Sequence, residues 1–191
     1  MKPSIQLTCL FFSLLVSFSL QAGKSKKGDK KPVINYIQNG EFKGTSRWKS
    51  YYNKKFIVKE PGNSKNKAAR LTGNSYYHRI WQKLKKSPST IKKIQSFTVT
   101  FKVRSLTNKE ESNSIYFYLR EHPYYGNYGR SGSTKVYESV QCTKKWTKHT
   151  VELPNDPSLK IKYFEINSYA SNGILIDDIV LTPVFDTEEK K

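Results

Sequence analysis

Between Gln95 and Ser105 the chain reads QSFTVTFKVRS, with Phe97, Val99, Phe101 and Val103 alternating against Thr98, Thr100, Lys102 and Arg104. An extended strand points successive side chains to opposite faces, so this segment has one dry face and one wet face. The same period of two recurs over residues 54–60, 76–84, 114–121, 146–154, 162–170 and 173–184, with many β-branched and aromatic residues. Turn-rich pieces separate these segments: EPGNSKNK, SPST, TNKEESN and PNDPS. Helical periodicity is nearly absent. Many strands with no helix between them predict an all-β fold, an antiparallel two-sheet β-sandwich.

Two of the alternating segments carry their large rings on the wrong side for a core. SIYFYLRE places Ile115, Phe117 and Leu119 inward and Tyr116, Tyr118 and Arg120 outward. YYHRIWQKL sets Tyr77, Arg79, Trp81 and Lys83 against Tyr76, His78, Ile80, Gln82 and Leu84. Aromatics beside an arginine on an outer face are expected to mark a binding surface. Trp48 and Trp146 are expected in the core.

The first 22 residues read as a signal peptide. Lys2 supplies a short positive region, LTCLFFSLLVSFSL is an apolar run, and Ala22 offers a small residue at a cleavage point. The run is short for a membrane span, which needs about 20 apolar residues, so no transmembrane anchor is expected after cleavage. An uncleaved anchor is the alternative. The expected location is secreted, periplasmic or cell-envelope. GKSKKGDKK, residues 23–31, reads as a basic disordered linker, residues 32–185 as a single folded domain, and residues 186–191 as a disordered tail.

Once the leader is removed, Cys142 is the one cysteine, so no internal disulfide can hold the sandwich together. A small packed hydrophobe is its expected role. The formal net charge of +19 draws the chain toward polyanions. In an exported protein these are anionic polysaccharides and cell surfaces sooner than nucleic acid. Part of the charge also serves solubility, as in KLKKSPSTIKK.

The order of the segments resembles the jelly-roll carbohydrate-binding modules that accompany bacterial cellulases and xylanases, within the galactose-binding-like superfamily. NYIQNGEFKGTSRWKSYY is similar to the opening of that family, and GILIDDIVLTP to its closing strand. KAARLTG, YHRIWQKLKK, SFTVTFKVRS and KKWTKHTVELP fall between them in the family's order. SPSTIKKIQ departs from it, standing where the family usually has a glycine-bearing turn.

The resemblance implies an exported, non-catalytic carbohydrate-binding protein, a monomer that stacks aromatic side chains on polysaccharide. Its charge leans the ligand toward an acidic or sulfated glycan. Flat rings pack on the apolar C–H faces of sugars while their polar edges hydrogen-bond. Tyr77, Trp81, Tyr116 and Tyr118 are the expected platforms, with Arg79 and Arg120 as donors. REHPYYGNYGRSGS is expected to overhang them with Tyr124, Tyr125 and Tyr128, glycines letting the loop adapt and tyrosines giving rigid contact area. The same tyrosines could instead pack on the sandwich edge.

The resemblance also implies a structural calcium held by Glu41 and one of Asp177 or Asp178, with backbone carbonyls; a salt bridge to a lysine is the other use of IDDI. The three histidines share no recurring spacing, and no nucleophile motif is present, so no catalytic residue is assigned. A cell-envelope structural or adhesion protein, contacting another protein through the same sandwich, is the competing reading.

Overall fold

A computed structural model of the chain describes residues 34–44, 46–50, 55–72, 78–85, 94–107, 110–123, 132–169 and 173–186. The expected leader, the basic linker, Tyr77, Tyr124, Tyr125, Tyr128 and all but the first residue of the tail lie outside them. Among the described residues ten strands are formed: β1 Lys49–Ser50, β2 Ile57–Glu60, β3 Asn63–Leu71, β4 His78–Lys83, β5 Ile94–Ser105, β6 Glu111–Arg120, β7 Ser133–Cys142, β8 Thr147–Pro154, β9 Tyr163–Ser168 and β10 Ile174–Phe185. They pair antiparallel into two five-stranded sheets, sheet A in the order β1-β4-β9-β6-β7 and sheet B in the order β2-β3-β10-β5-β8. This is the all-β, antiparallel two-sheet sandwich the alternation predicts, and the resemblance implied it as a jelly roll.

The core lies between the sheets and follows the dry faces. Ile115, Phe117 and Leu119 from β6 and Ile80, Phe164 and Ile166 from β4 and β9 meet Phe97, Val99, Phe101 and Val103 from β5. Phe101 and Phe117 touch across the gap with ring centroids 4.8 Å apart. Cys142 is fully buried. Burying each large apolar side chain contributes about 1.5–3 kcal/mol, and this burial holds the two sheets together.

Three strands escape the alternation reading, the two-residue β1 and the longer β3 and β7. β3 is NSKNKAARL, whose polar first half belongs to poor strand formers, and β7 is STKVYESVQC, an outer strand with mostly half-buried alternate residues. β3 is stabilised by its neighbours β2 and β10, and β7 by a full ten-residue register with β6.

The opening segment is pinned to sheet A by side chains. The Gln38 N–H donates to Gln82 Oε1 at 3.0 Å, and Gln82 Nε2 donates to the Gln38 carbonyl at 3.2 Å. Asn39 Nδ2 donates to the Gly44 and Ser46 carbonyls, and Trp48 Nε1 donates to the Asn39 carbonyl at 2.9 Å. Trp48 is in the core, as expected. Trp146 is not. It lies half-buried outside the core, where its Nε1 donates to Glu60 Oε1 at 2.6 Å and Arg104 stands 5.9 Å from its ring. The Glu60 carboxylate, which also accepts from Arg104 Nη1 at 3.1 Å, holds the indole there.

Candidate functional site

The outer face of sheet A is laid out by register. Lys49, Trp81, Glu165, Tyr118 and Lys135 are successive pairing partners from β1 across to β7. Arg79, Asn167, Tyr116 and Tyr137 form the row on one side of it, and Lys83, Tyr163, Arg120 and Ser133 the row on the other. Trp81, Tyr116 and Tyr118 therefore share one face, directed away from the core, together with Arg79 and Arg120.

The rings fall into two groups. Tyr116 is at the centre of one, with centroids 6.4 Å from Tyr118, 5.1 Å from Tyr137 and 5.1 Å from Tyr169. Tyr137 and Tyr169 are 50% and 48% exposed, while Tyr116 and Tyr118 are half-buried. The second group is Trp81 with Tyr163, edge-on at 5.8 Å, and the Lys49 ammonium lies 5.1 Å from the Trp81 ring centre.

Three expectations need correction, those for Trp81, Arg120 and Arg79. Trp81 is only 8% exposed, so it is the wall of a groove and not an open platform. Arg120 is also 8% exposed and is not a free donor. Its Nε lies 2.9 Å from Glu165 Oε2, its Nη2 donates to Glu165 Oε1 at 3.3 Å, and its guanidinium carbon lies 4.2 Å from the Tyr118 ring centre. Arg79 approaches the same carboxylate, Nε to Oε1 at 3.8 Å. A desolvated charge demands a partner, so both arginines turn down to Glu165 instead of out to water. Burial raises the Tyr118 phenol pKa, with the Arg120 charge working in the opposite direction. The phenol thus stays protonated and able to donate.

Glu165, Asn167, Tyr137, Tyr163 and Tyr169 are site residues that the sequence reading passed over. Four of them stand at alternate positions in the KYFEINSYA segment, so the period of two carried a signal for them. Glu165 and Asn167 are each 1% exposed despite facing outward, and Asn167 Oδ1 has no hydrogen-bond partner among the described residues. They form a polar floor beneath the rings.

The carboxylates assigned to calcium do not converge. A β-bulge falls between Asp177 and Val180, with Asp178 at φ 50°, a left-handed conformation that aspartate tolerates. Gly40 packs its backbone on this bulge, its carbonyl accepting from the Ile179 N–H at 3.1 Å, and any β-carbon there would collide with the Ile179 carbonyl. Asp177 turns toward β3, where Asn66 Nδ2 donates to Oδ2 at 3.2 Å. Asp178 pairs with Lys102 at 2.6 Å, and Glu41 pairs with Lys43. Among the described residues no three His, Cys, Asp or Glu side chains are grouped to hold a metal ion. This arrangement does not fit the calcium the resemblance implies: lysine ammonium groups stand on two of the three carboxylates.

Asp177 is buried and its Oδ1 has no hydrogen-bond partner among the described residues; burial pushes its pKa up to about 6, against hydrogen bonds from the Asp178 backbone and Asn66. Beside it, burial also works to raise the Glu60 pKa, but donors from Asn66, Trp146 and Arg104 outweigh it and hold that carboxyl below its usual range. The histidines are scattered. His78 is buried on the core side with its Nδ1 accepting the Thr72 N–H at 2.7 Å, His149 stacks on Phe101, and His122 is exposed.

No protein-family model matches the sequence, and neither does any curated protein. Solved structures do match. The CBM22-1 xylan-binding domain of Paenibacillus barcinonensis Xyn10C superposes with a TM-score of 0.54 at 14% identity, over 78% of this chain and 92% of that one. The fold is that of a carbohydrate-binding module. A putative sugar binding protein from Bacteroides thetaiotaomicron gives 0.51 at 13% identity, over 80% and 94%. The Clostridium thermocellum family 11 carbohydrate-binding module, solved with a β-1,3-1,4-mixed-linked tetrasaccharide, gives 0.50 at 12% identity, over 80% and 97%. At these identities the likeness is one of fold.

Proposed function

We propose that this protein is an exported, non-catalytic module that binds polysaccharide on the outer face of sheet A. The observation that carries this reading is the aromatic surface of Tyr116, Tyr118, Tyr137 and Tyr169 over a buried polar floor. Rings held against one another lose little freedom when a sugar packs on them, and the phenol edges remain for its hydroxyls. The fold shared with carbohydrate-binding modules supports the same reading. The leader-like opening sequence supports export. The formal net charge of +19 favours acidic or sulfated glycans over neutral ones. A binding role without chemistry is supported by Glu165, whose carboxylate is sealed and held by two arginines, leaving it poorly placed to move a proton.

The purified protein is tested on immobilised neutral and acidic polysaccharides at physiological salt. Retention that Tyr116→Ala and Tyr118→Ala weaken is the expected result. Failure to retain any polysaccharide, alongside capture of one stoichiometric protein partner insensitive to added sugars, would replace this reading with the adhesion one.

A further inference from the structure

A groove of about 570 Å³ opens at the β1–β4 edge of the sheet A face, walled by Trp81 and Tyr163. Arg47, Lys49, Lys83 and Lys85 line it, all four exposed, and no acidic residue does. Among the described residues none of the four has a carboxylate partner. This is not the rule for the molecule. A second cavity of about 620 Å³, beside the β10 bulge, is lined by Lys43, Lys102 and Lys148, and there Glu41 and Asp178 neutralise the first two. Gathering like charges at one groove is unfavourable unless an anion answers them.

The cations are also presented on fixed backbone. Lys49 pairs in register with Trp81, and Lys83 follows it on the same face of β4. The Leu84 N–H donates to the Lys162 carbonyl at 2.9 Å and the Lys85 N–H to the Tyr36 carbonyl at 3.3 Å, while the Gln38–Gln82 bonds hold the facing segment. A sugar ring resting against Tyr163 would carry a charged substituent into a groove lined by three ammonium groups and one guanidinium. The opposite, β6–β7 end of the face is different: Tyr116, Tyr137 and Tyr169 with the hydroxyls of Ser112, Ser114 and Ser139, and Lys135 as the cation there.

We propose that the Arg47–Lys49–Lys83–Lys85 groove is the subsite that reads an anionic group, carboxylate or sulfate, on the polysaccharide. The chain then crosses the strands with a charged sugar at the β1–β4 edge and an uncharged stretch on the tyrosines. This rests on the reading of the sheet A face as a glycan site.

The test measures affinity of the purified protein, at physiological salt, for matched pairs: polygalacturonate against its methyl-esterified form, carboxymethyl-cellulose against hydroxyethyl-cellulose, and dextran sulfate against dextran. The first two pairs report on carboxylate and the third on sulfate. The triple variant Lys49→Gln, Lys83→Gln, Lys85→Gln is compared with Lys144→Gln, Lys145→Gln, Lys148→Gln, which removes as much charge elsewhere. Exposed Lys→Gln changes leave folding nearly unchanged, which a melting curve checks. The acidic member of at least one pair is expected to bind about tenfold more tightly, three exposed ion pairs being worth roughly that. That preference should vanish in the groove variant and survive in the control, with neutral binding unchanged in both. Equal affinity within every pair that binds, or a preference lost equally in both variants, overturns the anionic subsite while leaving the glycan reading intact. If no member of any pair binds the wild type, the glycan reading itself fails and the subsite falls with it.

Discussion

Arg120 and Glu165 meet under the rings of sheet A, Nε to Oε2 at 2.9 Å, with side chains only 10% and 1% exposed. Breaking a buried pair strands one charge, which costs about 3–5 kcal/mol. Glu165→Gln should therefore lower stability by about that amount, measured by urea unfolding, because Arg79 and Arg120 lose a shared partner. A loss below about 1 kcal/mol would mean that the carboxylate is not what holds them.

Tyr137 tests the surface from the other side. Half of it is open to water, so Tyr137→Ala should change stability by less than about 0.5 kcal/mol. Its ring borders Tyr116 at 5.1 Å, and losing it should weaken polysaccharide affinity by a few-fold to about tenfold, as expected for one aromatic contact. Unchanged affinity in a titration would remove the β6–β7 tyrosines from the site.

Asp177 makes stability fall as pH rises. Its folded pKa of about 6 stands above the unfolded carboxyl value, so the native state keeps a proton that the unfolded chain has already released. Its contribution is full below about pH 4, declines between about 4 and 6, and above that leaves a penalty of roughly 3 kcal/mol. Asp177→Asn should be more stable than wild type at pH 7.5 and equal to it near pH 3.5, read from melting temperatures at the two pH values. An equal or lower melting temperature at pH 7.5 would show the carboxylate to be compensated.

His78 acts with the opposite slope. Burial holds its pKa below 6.5, so the ring is neutral at pH 7 with Nδ1 accepting the Thr72 N–H. Its contribution is full above pH 6.5 and is lost as the pH falls through that value toward the folded pKa, because the unfolded ring takes up its proton first. An NMR titration of the imidazole should give a midpoint below 6.5. A midpoint above it would contradict the buried neutral ring.

Chelation is the direct test of the carboxylates beside the bulge. With Lys102 on Asp178 and Lys43 on Glu41, excess EDTA should leave the melting temperature unchanged. The Lys102–Asp178 pair is 46% and 40% exposed, so Lys102→Met should cost at most about 1 kcal/mol. A chelator-induced fall in melting temperature would restore the metal.

The alternation in the sequence determined an antiparallel sandwich and, for β4, β5 and β6, which side of the strand is dry, because side-chain direction in an extended chain depends only on parity. It therefore put Trp81, Tyr116 and Tyr118 on the outer face of sheet A together with Arg79 and Arg120. Parity says nothing about depth. Only the packed structure decided that Trp81 and Arg120 are covered while Tyr137 and Tyr169 are open, since depth depends on what neighbouring strands bring alongside. Glu165 was a polar residue on a wet face until β4 and β6 flanked it with two arginines. The bulge at Asp177 and the pairing of β3 and β7 were likewise set by partners distant in the chain, and no local pattern reports the strand a residue will lie beside.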